Sequence, residues 1–283
     1  MPLINISDAF ETPPPAQDFV LPGYLTGTVG ALVAPGSTGK SFWALQAAAA
    51  VASSDPLADT LGLGLKRHGE VLYINLEDPK DELNRRIYAL GSRWSSETRA
   101  SVIENLHVSA RHGISTDIMG DKFTTALLKF GSGKRLVVID TLSRAHKLDE
   151  NDNGAMSQVV GRLEMVAQRT GAAVLYLHHT SKAAALAGQG GMQQSARGAS
   201  ELIDNARWGG NLMKMTEDEG KFFSDSGKII GEDHILYVRF VVGKQNYGTA
   251  EGARWLKRTE GGILSPVELH GSKGQLKRRY GDI

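Results

Sequence analysis

The 283-residue chain contains no cysteine, which excludes disulfides and thiolate-bound zinc and fits a reducing compartment. Net charge is nearly absent too, with 32 Lys and Arg against 31 Asp and Glu, a formal +1. Bulk charge therefore directs the chain to neither a polyanion nor a membrane, and any anion site must be a local arrangement. Long hydrophobic runs are missing. The most apolar stretch, Ala44 to Ala52, falls well short of the about 20 residues that a bilayer span needs. The first residues, Met-Pro-Leu-Ile-Asn-Ile, lack the basic flank and apolar core of a secretory signal. These absences predict a cytoplasmic protein with no membrane partner. An Asn-Lys-x-Asp segment that would read guanine is absent, as are the glycine-loop and catalytic-loop motifs of protein kinases.

What the chain has is an apolar content of 41%, enough for one large α/β domain with a full core. Within it, Gly30-Ala31-Leu32-Val33 reads as a short buried strand, followed by Ala34-Pro35-Gly36-Ser37-Thr38-Gly39-Lys40-Ser41 and a helix-prone run to Ala52. This is the phosphate-binding loop pattern, with Ala34 where a first glycine is common, and it sits between the strand and helix that the pattern requires. Backbone N–H groups around Gly36–Lys40 and the positive end of the new helix would face phosphate oxygens. Lys40 would place a point charge on the β- and γ-phosphates, and the Ser41 hydroxyl can ligate Mg²⁺. The segment predicts a site for a nucleoside triphosphate, with ATP and Mg²⁺ as cofactors.

Further along, buried-strand runs alternate with helical stretches. Strands are expected at Gly30–Ala34, Val71–Leu76, Leu136–Asp140, Ala173–His178 and Tyr237–Gly243, and helices at Asp81–Leu90, Phe123–Phe130 and Met156–Gln168. Apolar strands separated by helices imply right-handed βαβ units and a mostly parallel sheet covered on both faces. From about Arg207 onward strands dominate, which predicts an antiparallel C-terminal extension of the same sheet. The expected divisions are an N-terminal arm over residues 1–20, carrying the Pro-rich stretch Glu11–Gln17, a catalytic domain over 21–268, and a basic tail over 269–283 with Lys273, Lys277, Arg278 and Arg279. Two polar loops, Lys147–Gly154 and the Gly/Ala/Gln-rich Ala183–Gln194, leave the carboxyl edge of the sheet, where open α/β folds bind ligands.

Two further strand ends carry chemistry. Leu136-Val137-Val138-Ile139-Asp140 is an apolar run ending in a carboxylate, suited to hold water on Mg²⁺ beside Ser41. Val71 to Leu76 runs into Glu77-Asp78-Pro79. Glu77 is the expected base for the attacking water, while Asp78 competes but precedes a proline and can instead initiate a helix. The fourth strand closes on His178-His179. Adjacent strand residues face opposite ways, which argues against a shared metal and for one histidine at the γ-phosphate, the other a satisfied core residue.

Taken in order, these residues resemble the RecA-like hexameric helicase core, and more closely the RepA-type replicative helicases of broad-host-range plasmids. The resemblance also rests on Val20-Leu21-Pro22, Arg197-Gly198, Asp204-Asn205, Arg207-Trp208 and Lys244 with Asn246-Tyr247-Gly248, and it covers nearly the whole chain. It implies a homo-hexameric ring with ATP between neighbours, Glu77 as catalytic carboxylate, Asp140 as Mg²⁺ acid, and His179 as the γ-phosphate sensor. It also implies single-stranded DNA as substrate, with the loop from Lys182 to Ala196 in the central channel, so that Lys182, Gln189 and Arg197 are candidate DNA contacts. Initiator and primase would be met in trans. Such rings insert an arginine from the next subunit. This chain departs from the Lys-x-Arg of DnaB-like relatives, reading Lys244-Gln245-Asn246, which leaves Arg207 as the first candidate finger and Arg86 as the second, with Lys244 as a cation toward a neighbour's phosphate. A strand-exchange or repair ATPase and a nucleotide-dependent regulator are the alternative readings.

Overall fold

The computed structural model describes residues 3–180, 200–248 and 252–271. The chain begins with α1 (Ile6–Glu11), capped by the Asn5 side chain, and none of its residues is buried. An irregular stretch through the three prolines leads to β1 (Phe19–Leu21), which pairs antiparallel with β2 (Tyr24–Leu25). The alternating unit then follows: β3 (Val29–Ala34), α2 (Lys40–Ala52), β4 (Val71–Asn75), α3 (Lys80–Gly91), α4 (Ser96–Asn105), β5 (Leu106–Ala110), α5 (Asp121–Gly131), β6 (Leu136–Asp140), α6 (Asn153–Thr170) and β7 (Ala173–His179). The C-terminal part comprises α7 (Ser200–Asn205), β8 (Trp208–Lys214), α8 (Glu217–Phe222), β9 (Phe223–Asp225), β10 (Lys228–Ile229), β11 (Tyr237–Gln245), β12 (Arg254–Arg258), β13 (Leu264–Val267) and β14 (Leu269–Gly271).

Nine strands form the main sheet in the order β13-β12-β11-β8-β3-β7-β6-β4-β5. From β8 to β5 every pairing is parallel, and β11, β12 and β13 extend it antiparallel. The expected α/β fold, a mostly parallel sheet with an antiparallel C-terminal extension, is the one observed. The five strands expected from apolar runs are present, β3 and β7 one residue longer and β11 two, and β4 one shorter. The polar loop expected to run from Lys147 to Gly154 ends earlier, because the Asp152 side chain accepts from the Ala155 N–H and starts α6 at Asn153. The Ala183–Gln194 loop and the basic tail lie outside the described residues. Among the described residues no helix is long and apolar enough to cross a membrane.

Each face of the sheet buries its own layer. On one side Val29, Ala31 and Val33 of β3 meet Val159, Leu163 and Val166 of α6. On the other, Leu32 and Ala34 meet α2, in which every residue except Ser41 is buried. The alanines from Ala47 to Ala50 let α2 lie close on the strands. Beside it, Trp43 stacks on Phe240 with ring centroids 4.6 Å apart, and Tyr24 stacks on Trp208 at 5.1 Å. Two glycines make room for these rings. A Cβ at Gly30 would lie 2.7 Å from Tyr24 Cζ, and one at Gly210 would lie 2.7 Å from Trp208 Cη2. The aromatic stack therefore joins β3, α2 and the antiparallel extension into one core.

Candidate active site

The carboxyl ends of β3, β4, β6 and β7 converge on one cleft of about 430 Å³, a volume in the range of small-molecule sites. Its floor is the loop from Pro35 to Ser41. Thr38 Oγ1 donates to the Pro35 carbonyl at 2.8 Å, and Gly39, at φ 103°, takes a left-handed conformation that a side chain would strain. The loop feeds directly into α2, so Lys40 and Ser41 sit in the first helical turn.

The two hydroxyl–carboxylate and lysine–histidine pairs of the site are already made. Ser41 Oγ donates to Asp140 Oδ1 at 3.1 Å, and the Tyr73 hydroxyl donates to Asp140 Oδ2 at 2.6 Å and to the Ser41 carbonyl at 3.2 Å. Burial pushes Asp140 up to about 6, against the stabilising hydrogen bonds from Tyr73 and Ser41. Lys40 Nζ meets His179 Nδ1 at 3.1 Å, and His179 Nε2 faces Glu77 Oε1 at 3.5 Å. With Lys40 donating, Nδ1 accepts and the ring proton belongs on Nε2, toward Glu77. The His179 contact, followed by smaller contributions from Lys40 and Arg144, holds Glu77 below the usual carboxylate range. Burial lowers Lys40 below the usual lysine range, although Asp140 and Glu77 oppose it.

The other histidine behaves differently. His178 is 2% exposed on the face away from the cleft, and burial lowers it to about 4, so it is neutral at physiological pH. The turn carrying Glu77 is shaped by Asn75, itself buried, whose side chain accepts from the N–H groups of Glu77 and Asp78 and donates to the Asp78 carbonyl. Asp78 is turned to Arg86, with Arg86 Nη1 2.7 Å from Asp78 Oδ2 and Arg86 Nε 3.5 Å from Glu82 Oε1. All three of these residues line the same cleft as Lys40.

Arg207 and Lys244 are elsewhere. The Arg207 N–H donates to the Val29 carbonyl, at the start of β3, whereas the phosphate loop follows its end. At about 3.3 Å per residue the two levels are about 20 Å apart. Arg207 Nη2 lies 3.9 Å from Glu164 Oε1, and Lys244 Nζ donates to the Ile203 and Asp204 carbonyls. Neither reaches the cleft of its own chain. Lys182, Gln189 and Arg197 lie outside the described residues.

Three contributors were not anticipated from sequence. Tyr73 had a signal available, a hydroxyl inside a buried run on the strand that ends beside Asp140. Asn75 had one as well, a buried amide just before Glu77. Arg258 had none. It sits at the end of β12, donates from Nη2 to the Thr38 carbonyl at 2.9 Å, and lines the cleft with Gly261 and Gly262.

A family model described as an AAA domain matches residues 3–185. The chain belongs to that family. Solved structures of similar fold include a separately solved ATPase domain, with a TM-score of 0.59 and 20% identity over 87% of each chain. The RadB recombinase matches with a TM-score of 0.55 and 14% identity over 86% of this chain and 92% of that one. A DnaB-like replicative helicase, solved with attention to its interactions with primase, matches with a TM-score of 0.59 and 18% identity over 85% of this chain. The match covers 57% of that helicase's length. At these identities the likeness is one of fold, and the fold of this AAA-domain chain is that of RecA-like ATPases.

Proposed function

We propose that this AAA-domain protein is an ATP-driven DNA helicase of the RepA-type plasmid replicative group, working as a homo-hexamer on single-stranded DNA. The observation that carries the reading is the chain Lys40–His179–Glu77 set beside Ser41–Asp140 on one sheet edge. It combines a phosphate cation, a base and a polar reporter between them. In hydrolysis Glu77 takes a proton from water while the water oxygen bonds to the γ-phosphorus, and the bond from that phosphorus to the bridging oxygen breaks to leave ADP.

An arriving γ-phosphate would compete with His179 for Lys40. His179 would then turn to the phosphate, which changes its contact with Glu77 and links the state of the nucleotide to the chain that follows β7. The Ser41 hydroxyl and Asp140, a buried carboxylate whose oxygens are met by hydroxyls, form the all-oxygen set that fits Mg²⁺. When bound, that ion neutralises charge developing on the β- and γ-phosphate oxygens. Tyr73 and Ser41 hold Asp140 in place for it.

Arg207 would supply its charge to the neighbour's nucleotide, since its place at the far edge leaves its own site without it, and Lys244 lies beside it. Arg86 faces its own cleft, which favours a role toward the nucleotide of the same subunit. Lys182, Gln189 and Arg197 would contact DNA in the ring channel, with initiator and primase as partners in trans. The likeness to RadB supports a second reading, a recombination ATPase that does not unwind duplexes. The test is ATP hydrolysis with and without single-stranded DNA, followed by unwinding of a forked duplex, with Lys40→Ala as control. DNA-stimulated hydrolysis with unwinding supports the helicase. Stimulation without unwinding favours the recombinase-like reading, and indifference to DNA sinks both.

A further inference from the structure

The nucleotide reading accounts for one end of the cleft and leaves the other unexplained. In sheet order the groups that act on a γ-phosphate come from β7, β6 and β4, all on one side of β3. Arg258 comes from β12, on the opposite side of β3. A nucleotide whose terminal phosphate faces Glu77 and Asp140 must therefore lay its nucleoside on the Arg258 side of the loop.

What stands there is built for a flat ligand. Arg258 is fixed by its bond to the Thr38 carbonyl, and its guanidinium passes 3.1 Å from where a Cβ on Gly39 would be. The turn after it contributes Gly261 and Gly262 to the cleft, together with Phe42 on the first turn of α2. A Cβ at Gly262 would lie 3.2 Å from Phe42 Cε2, so a side chain there would crowd the ring. The turn is also held from behind, as Arg93 Nη2 donates to Thr259 Oγ1 at 2.8 Å and to the Glu260 carbonyl at 3.3 Å. The result is a fixed planar cation beside a backbone wall without side chains.

We propose that the Arg258–Gly262 turn is the nucleoside shelf of this site, with the Arg258 guanidinium stacked on the face of the nucleobase. This rests on the nucleotide reading above. A guanidinium stacks on a π-face where an ammonium of equal charge does not. Arg258 thus has two tasks, pinning the phosphate loop and gripping the base, and they can be separated.

The experiment is calorimetric titration of ATP and of inorganic tripolyphosphate into the full chain and into Arg258→Ala and Arg258→Lys. Base stacking has the size of about a ten- to hundredfold loss of ATP affinity in both variants, with tripolyphosphate affinity unchanged. Equal losses for both ligands would make Arg258 a strut of the loop alone and overturn the shelf. Unchanged ATP binding in either folded variant, judged by its melting curve, overturns it as well. Should Arg258→Ala not fold, Arg258→Lys decides, since lysine can still reach the Thr38 carbonyl but offers no flat face. Failure of the unaltered chain to bind ATP, with or without tripolyphosphate binding, overturns the nucleotide reading and the shelf with it.

Discussion

The two edges of the sheet hold the same kinds of charge in opposite ways. At the carboxyl edge Lys40, His179 and Glu77 form one contact chain, and Ser41, Tyr73 and Asp140 another. At the amino edge the Arg207 side chain is 49% exposed and 3.9 Å from Glu164, a distance at which an exposed pair contributes little. Lys244 there is held by main-chain carbonyls rather than by an acid. One edge is complete within a single chain, and the other points its cations outward. The difference teaches that a site can be read as internal or shared from how its charges are partnered, before any second subunit is seen.

The strongest way to break this comparison is Arg207→Ala. If Arg207 serves a neighbour, hydrolysis falls by on the order of 10³-fold while the chain's own nucleotide binding stays. Mixing Arg207→Ala with Glu77→Gln subunits should then restore measurable turnover, because some interfaces pair an intact Glu77 with an intact Arg207. No recovery on mixing would place Arg207 outside the reaction. Trp208→Ala tests the core that joins the edges. Loss of a fully buried indole stacked on Tyr24 should cost about 3–5 kcal/mol in denaturant unfolding. A cost under about 1 kcal/mol would mean the two regions fold separately.

Glu77→Gln alone should lower the maximal rate by on the order of 10²-fold or more and leave ATP affinity nearly intact. An equal loss of affinity would recast Glu77 as a binding group. Smaller still is Tyr73→Phe, which removes one hydrogen bond worth about 1 kcal/mol. The expected effect is a several-fold rise in the Mg²⁺ concentration needed to half-saturate nucleotide binding, read by calorimetry. Phe10→Ser should leave the stability of the isolated chain within about 0.5 kcal/mol, because Phe10 is 84% exposed.

Much of the carboxyl edge was legible because its signals are local. A phosphate loop needs its residues adjacent in the chain, and a carboxylate at the end of a buried run is visible as such. The strands found from apolar runs are those covered on both faces. Leu106–Ala110 escaped notice because, at the sheet edge, it mixes Leu and Val with His and Ser and is buried on neither side. Arg258 escaped for a different reason. Its partner Thr38 is distant in sequence, and the contact depends on the register of β12 against β11 and β11 against β8. Nothing in the residues around Arg258 encodes that register. The same holds for Gln46, buried in α2 and bonded to both the N–H and the carbonyl of Leu264.

Helix α2 turns a habit of mutagenesis upside down. Alanine is the residue chosen to remove atoms and see what is missed, so a scan would pass over Ala44 and Ala47–Ala50 as having nothing to lose. Here the missing atoms are the design. The helix that begins at Lys40 rests on the strands at a distance that alanine permits, and any added methylene must lift it. Since Lys40 and Ser41 open that helix, lifting it would tilt the phosphate site. The blandest segment of the chain is therefore the one least free to vary, and its sensitivity would appear only when residues are enlarged.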